Sequence, residues 1–191
     1  MKNEQDILQA IEADAWMMAV LEAAKRLDLP DWWICAGFVR TKLWDALHGF
    51  NERTPLGDID VVYFNPEAVD EAEEKRYEEK LHQLMPDLPW SVKNEARMQR
   101  INDLPPYASS IDAISKFPET ATALAVKLDE RGQLILAAPC GISDALNLIV
   151  RPTPHFIENK ELGTVYENRL KTKNWLLKWP RLTIYQVNQN S

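Results

Sequence analysis

Between Asp58 and Phe64 the chain sets two carboxylates, Asp58 and Asp60, at the front of a run that becomes wholly apolar and is rich in β-branched residues. Such a run reads as a strand, and residues two apart in a strand face the same side. The apolar residues commit the strand to a core and leave the acids at its polar end. Two carboxylates held that close repel each other unless a proton or cation intervenes. A hard divalent ion such as magnesium meets that need with oxygen ligands, water and substrate phosphate.

Upstream, Cys35-Ala36-Gly37-Phe38-Val39-Arg40 reads as a strand end, a tight bend and a helix start. Gly37 lets a ligand approach the backbone, and a helix N-terminus offers unpaired amides and positive dipole to a phosphate. Arg40, one turn inside, pairs with phosphate oxygens. Together the parts describe a site for a metal-bound nucleoside triphosphate. Other routes to catalysis are closed. The six glycines are too scattered for a dinucleotide fingerprint or phosphate loop, and residue 145 is Ala where a nucleophile elbow needs Gly. The three histidines stand far apart, and no HExxH occurs.

The 191 residues carry 22 Lys and Arg against 29 Asp and Glu, a formal charge of −7. That balance argues against a general electrostatic grip on nucleic acid or an anionic membrane. The longest apolar run, Ala15 to Leu21, is far too short to span a bilayer, and the polar N-terminus gives no secretory signal. Two cysteines make neither a disulfide framework nor a zinc cluster. The expectation is a cytoplasmic protein. It is also one α/β or α+β domain over 1–191, with a core at about 30–140 and peripheral helices at 1–28 and 141–179.

Periodicity predicts a helix over 4–27, a strand at 32–36, a helix over 38–47 and a loop over 50–57. The strand at 58–64 follows. Next come a helix over 66–84 with a solvated Glu/Lys face, a strand from Trp90 to Lys93 or Asn94, and a short helix at 109–115. A hairpin pairs 121–128 with 133–137 around Asp129-Glu130-Arg131-Gly132. Helices over 144–150 and 155–179 complete the chain.

The run AGFVRTKLWDALHG…GDIDVVYF resembles the nucleotidyltransferase superfamily pattern, a glycine turn followed by two metal-binding acids on one strand. The GFVR and DID elements are similar to the head domain of tRNA CCA-adding enzymes and poly(A) polymerases. With VKNEARM (92–98), PETATA (118–123) and the stretch through Asp144 to Arg151-Pro152-Thr153, most of the chain resembles a bacterial family of small nucleotidyltransferase-like proteins of unknown substrate.

The resemblance implies a mixed β-sheet flanked by helices. It implies transfer of a nucleoside monophosphate from ATP or another triphosphate to a hydroxyl acceptor, with Mg2+ or Mn2+ as cofactor. On that analogy Asp58 and Asp60 bind metal, while Ala36, Gly37, Phe38 and Arg40 hold the donor's phosphates. A third carboxylate on a later strand completes such sites. Glu95 is the nearest candidate and Asp112 the second; strand alternation from Trp90 and Val92 favours Glu95. Phe38 stands where the superfamily commonly has Ser, which removes one hydroxyl contact. Lys93, Asn94 and Arg97 are candidates to line an acceptor pocket or to be surface groups. Asp45 is expected to cap, pair with a cation or orient Arg40, and Trp44 to pack in the core. The acceptor is open: a small molecule, a protein side chain or an RNA end. The rival readings are a nucleotide-binding or regulatory module without turnover and a glycosyltransferase using the DxD acids.

Overall fold

The computed structural model describes residues 1–101 and 105–187. Helices α1 (Glu4–Glu12) and α2 (Ala15–Lys25) precede β1 (Trp33–Cys35) and α3 (Gly37–His48). β2 (Ile59–Tyr63), α4 (Glu71–Leu84), β3 (Trp90–Asn94) and α5 (Glu95–Ile101) follow. Next come α6 (Ser110–Ser115), a 3-10 turn at Thr120–Thr122, and the hairpin β4 (Ala125–Leu128) and β5 (Leu134–Ala137). The C-terminal part is α7 (Ser143–Leu146), β6 (Ile149–Val150), α8 (Pro154–Glu158), α9 (Lys160–Lys173), a second 3-10 turn at Trp175–Leu177, and β7 (Thr183–Ile184).

The main sheet runs β3-β2-β1-β4-β5. Only β2 and β3 are parallel in it, their crossover being α4; β1 is antiparallel to both its neighbours. Alternation divides the faces. Ile34, Val61, Val92 and Val126 point into a core that draws on residues from Ile7 to Leu182. Trp33, Cys35, Val62 and Ala125 point to the opposite face, where Ile114 of α6 packs. Asp60 pairs with Cys35 and Ser91, so it shares this second face.

Several predicted elements are divided by polar side chains. The helix over 4–27 breaks at Asp14, whose carboxylate accepts from Met17 N and caps α2. The helix expected from Pro66 starts only at Glu71. Asn94 donates to the carbonyls of Asn65 and Ala68 and accepts from Asn65 N, which ties that stretch to β3. The Glu/Lys face of α4 is not wholly solvated. Glu74 is fully buried, accepting from Asn94 N at 3.0 Å and from Arg97 Nε and Nη2 at 2.7 Å each.

The helix expected over 144–150 ends at Leu146. Leu148 turns left-handed (φ 59°), and Ile149–Val150 pairs with β7, a small second sheet that periodicity did not predict. The helical region over 155–179 is three pieces, cut at Asn159, which caps α9, and at Asn174, which adopts φ 44°. No helix among the described residues is long and apolar enough to cross a membrane.

Candidate active site

The chain bends most sharply at Ala36, not at the glycine beside it. Ala36 has φ 54° and ψ −116°, a conformation that costs a residue with a Cβ of order 1–3 kcal/mol. Gly37 has an ordinary helical φ, and a methyl group there would lie 3.6 Å from Arg40 Nη2, an ordinary contact. The bend is held by Ala36 N donating to Leu124 O at 3.0 Å and Ala36 O accepting from Arg40 N at 3.0 Å. It starts α3 with no side-chain cap, so the first-turn amides remain available to an anion. Phe38 is buried in the core against Trp16, so it can offer a phosphate only its backbone.

The bend and the paired acids meet. One cleft of about 160 Å³ is lined by Ala36, Gly37, Arg40, Gly57, Asp58 and Asp60. No hydrogen bond from the described residues reaches either carboxylate. Burial, then the neighbouring Asp58, pushes Asp60 up from the ordinary carboxylate range, while Arg169, Lys173 and Arg40 pull it down. A carboxylate pair with unused oxygens fits a hard divalent cation, which binds through one or two carboxylates plus substrate phosphates.

Across the cleft stand cationic groups that sequence reasoning missed: Arg169 and Lys173 of α9, and Lys178 beyond it. Leu162, Val165, Arg169 and Lys173 follow helical spacing on one stripe of α9, which was the available signal. Only the tertiary fold turns that stripe toward Asp60.

Arg40 is enclosed by three indoles, its guanidinium carbon 5.0 Å from the Trp44 ring, 4.7 Å from Trp175 and 5.7 Å from Trp179. Burial lowers it to about 10, offset by Glu119. Its Nη2 donates to Thr41 Oγ1 at 3.3 Å, while its buried Nε has no partner among the described residues. Arg40 lines the cleft with donors unspent. Glu119, fully buried, accepts from Arg169 Nε at 2.6 Å. Among the described residues Asp45 forms no ion pair; it accepts from Thr54 N and Oγ1 and, at 2.8 Å, from Trp179 Nε1. It thus fixes both the loop that delivers Asp58 and the indole that roofs Arg40.

The other sequence candidates lie elsewhere. Asn94 of β3 and Arg97 of α5 are engaged in anchoring α4 through Glu74. Asp112 sits in the first turn of α6, accepting from Ala108 N and from Lys116 Nζ at 2.7 Å, contacts that lower its carboxyl. Lys93 lies 3.6 Å from Glu74. Glu95 begins α5 and, with Lys93, lines a second cavity rather than the Asp58–Asp60 cleft. Among the described residues no three His, Cys, Asp or Glu side chains gather around one point. Glu95 is still electrostatically coupled to the pair. Burial first, then Asp60, raises it to about 7.

The five-stranded mixed sheet flanked by helices matches the fold of the CCA-adding enzyme head domain. The chain belongs to a nucleotidyltransferase family, whose model matches residues 22–184. It is similar, at 38% identity and a TM-score of 0.87 over 97% of both chains, to a solved structure described as revealing a CCA-adding enzyme head domain. More distant likenesses show the fold alone. They include a CCA-adding enzyme solved with ATP (14% identity, TM-score 0.51, 99% of this chain and 44% of that one). Another is the Thermotoga maritima CCA-adding enzyme complexed with tRNA (13%, 0.53, 98% and 43%). The chain thus spans less than half the length of those two. No curated protein matches it.

Proposed function

We propose that this single-domain protein is a cytoplasmic, Mg2+- or Mn2+-dependent nucleotidyltransferase that moves a nucleoside monophosphate from ATP or another triphosphate to a hydroxyl acceptor. The observation that carries the reading is the shared cleft of Asp58, Asp60, the uncapped start of α3 and Arg40.

Asp58 and Asp60 hold the cation, which when bound neutralises the donor's phosphate charge and steadies the developing negative charge. The amides of Gly37 and Phe38 and the free donors of Arg40 bind phosphate oxygens; Arg169, Lys173 and Lys178 add positive potential from the opposite wall. At about 160 Å³ the cleft lies below the roughly 300 Å³ at which whole-ligand pockets begin, so it takes the phosphates and leaves the nucleoside outside.

In the transfer, the acceptor oxygen bonds to the α-phosphorus as the bond from that phosphorus to the bridging oxygen breaks. The electron pair leaves with pyrophosphate. The hydroxyl proton passes to Glu95, which lines the second cavity and whose raised basicity suits a general base at neutral pH.

The separation of Glu95 from the Asp58–Asp60 pair supports one second reading, a module that binds nucleotide without turnover. Incubating the protein with α-labelled nucleotide, Mg2+ or Mn2+ and cell extract decides between them. Labelled product with pyrophosphate release supports transfer; saturable nucleotide binding with neither supports the binding module.

A further inference from the structure

The cavity that holds Glu95 has a composition unlike the phosphate cleft. It encloses about 440 Å³, within the range of small-molecule sites, and its exposed lining is mostly apolar. Met98, Phe117 and Phe156 supply much of that wall, and the Tyr107 and His155 rings stand among them. Its polar features are few. Besides the Glu95 carboxylate, the His155 ring on the wall has a buried Nε2 with no hydrogen-bond partner among the described residues.

The cavity adjoins the donor cleft. Leu162 and Val165 on its wall share a stripe of α9 with Arg169 and Lys173, which line the cleft. At 1.5 Å per residue the two pairs are centred about 11 Å apart. Pro118 lines the cavity, and the next residue, Glu119, holds Arg169. The Glu119–Arg169 ion pair thus links the cavity wall to the cleft.

We infer that this cavity is the acceptor subsite and that it takes a small, largely apolar, ring-bearing molecule carrying a hydroxyl group. The inference rests on the nucleotidyl-transfer reading above. Apolar walls hold the body of such a molecule, while the Glu95 carboxylate addresses its hydroxyl. An RNA end fits less well, because its phosphates need unengaged cations. Both lysines at the cavity are already paired, Lys93 with Glu74 and Lys116 with Asp112 at 2.7 Å.

The test uses the full chain with 13C-methyl methionine, the Met98 resonance being identified by its loss in Met98→Leu. Three aryl alcohols serve as probes: 2-phenylethanol, 4-hydroxyphenethyl alcohol and indole-3-ethanol. At least one is expected to shift Met98 saturably, while glycerol does not. Val165 is half exposed on the rim, so Val165→Trp fills the mouth without burying new bulk in the core and should weaken that binding about tenfold or more. Leu162→Trp, from the neighbouring turn, is the second blocking variant should the first fail to fold.

If no aryl alcohol moves Met98, or both folded blocking variants bind as well as the parent, the subsite assignment is overturned. It is also overturned if an RNA oligonucleotide shifts Met98 and the alcohols do not. Mg2+-ATP binding, measured separately on the parent and on Asp58→Asn, keeps the two readings apart. Normal donor binding with an unresponsive Met98 removes the acceptor subsite alone, whereas absent donor binding removes the transfer reading itself.

Discussion

Replacing Glu95 by Gln should stabilise the protein at neutral and alkaline pH and leave it almost unchanged in acid. Glu95 is 8% exposed, no hydrogen bond from the described residues reaches its carboxylate, and burial followed by Asp60 raises it from the ordinary 4.5 to about 7. At about 1.4 kcal/mol per pH unit, ionised Glu95 costs the fold about 3 kcal/mol, an upper bound because local relaxation lets water in. The sign follows from proton binding. Between about pH 4.5 and 7 the folded protein holds a proton that the unfolded chain has released, so stability falls as pH rises through that window. Below it both states are protonated and above it both are ionised. Gln keeps the size and removes the titration. Urea midpoints of parent and Glu95→Gln, measured from pH 4 to pH 8.5, should coincide at the acid end and separate by up to about 3 kcal/mol above pH 7. Because Asp60 is the second cause of the shift, Mg2+ should narrow the gap. A constant difference at every pH would refute the reasoning, since the substitution would then act through packing alone.

Asp58→Asn and Asp60→Asn should each abolish transfer and the rise in melting temperature on adding Mg2+ or Mn2+, with the fold kept; full activity in either would remove the acid pair from the reaction. Arg40→Met keeps bulk within the three indoles but removes the charge. It should raise the Kd for Mg2+-ATP by about tenfold or more in calorimetric titration, the value of one or two charged hydrogen bonds; an unchanged Kd would make Arg40 a packing residue. Ala36→Gly should relieve the positive φ and raise stability by about 1 kcal/mol in chemical denaturation, the strain released less the extra freedom of the unfolded chain. Trp179→Phe should cost about 1 kcal/mol of stability by leaving Asp45 short of a donor, together with a weaker grip on ATP. Loss of stability without loss of donor affinity would confine Asp45 and Trp179 to a structural role.

The strand that carries Asp60 was legible from local pattern, because its β-branched run has one physical reading; it begins at Ile59, so Asp58 stands just before it. Local pattern equally determined α3 and the presence of a bend before it. Within about thirty residues, local pattern was enough to pick out Gly37, Arg40, Asp58 and Asp60, which line one cleft. What surrounds those residues is set by packing between distant parts of the chain. Arg40 reads as a simple phosphate ligand in sequence, yet its surroundings come from Trp175 and Trp179, more than 130 positions away. The second cationic wall comes from one stripe of α9, and no local rule says which stripe meets the sheet. The backbone strain falls on Ala36 rather than Gly37 because the contacts with Leu124 and Arg40 fix the bend. Buried carboxylates such as Glu74 and Glu119 look solvated in sequence, since partners that neutralise a charge through space leave no periodic trace along the chain. Periodicity records which face of an element is apolar; which charges meet across a cleft is set when those faces pack.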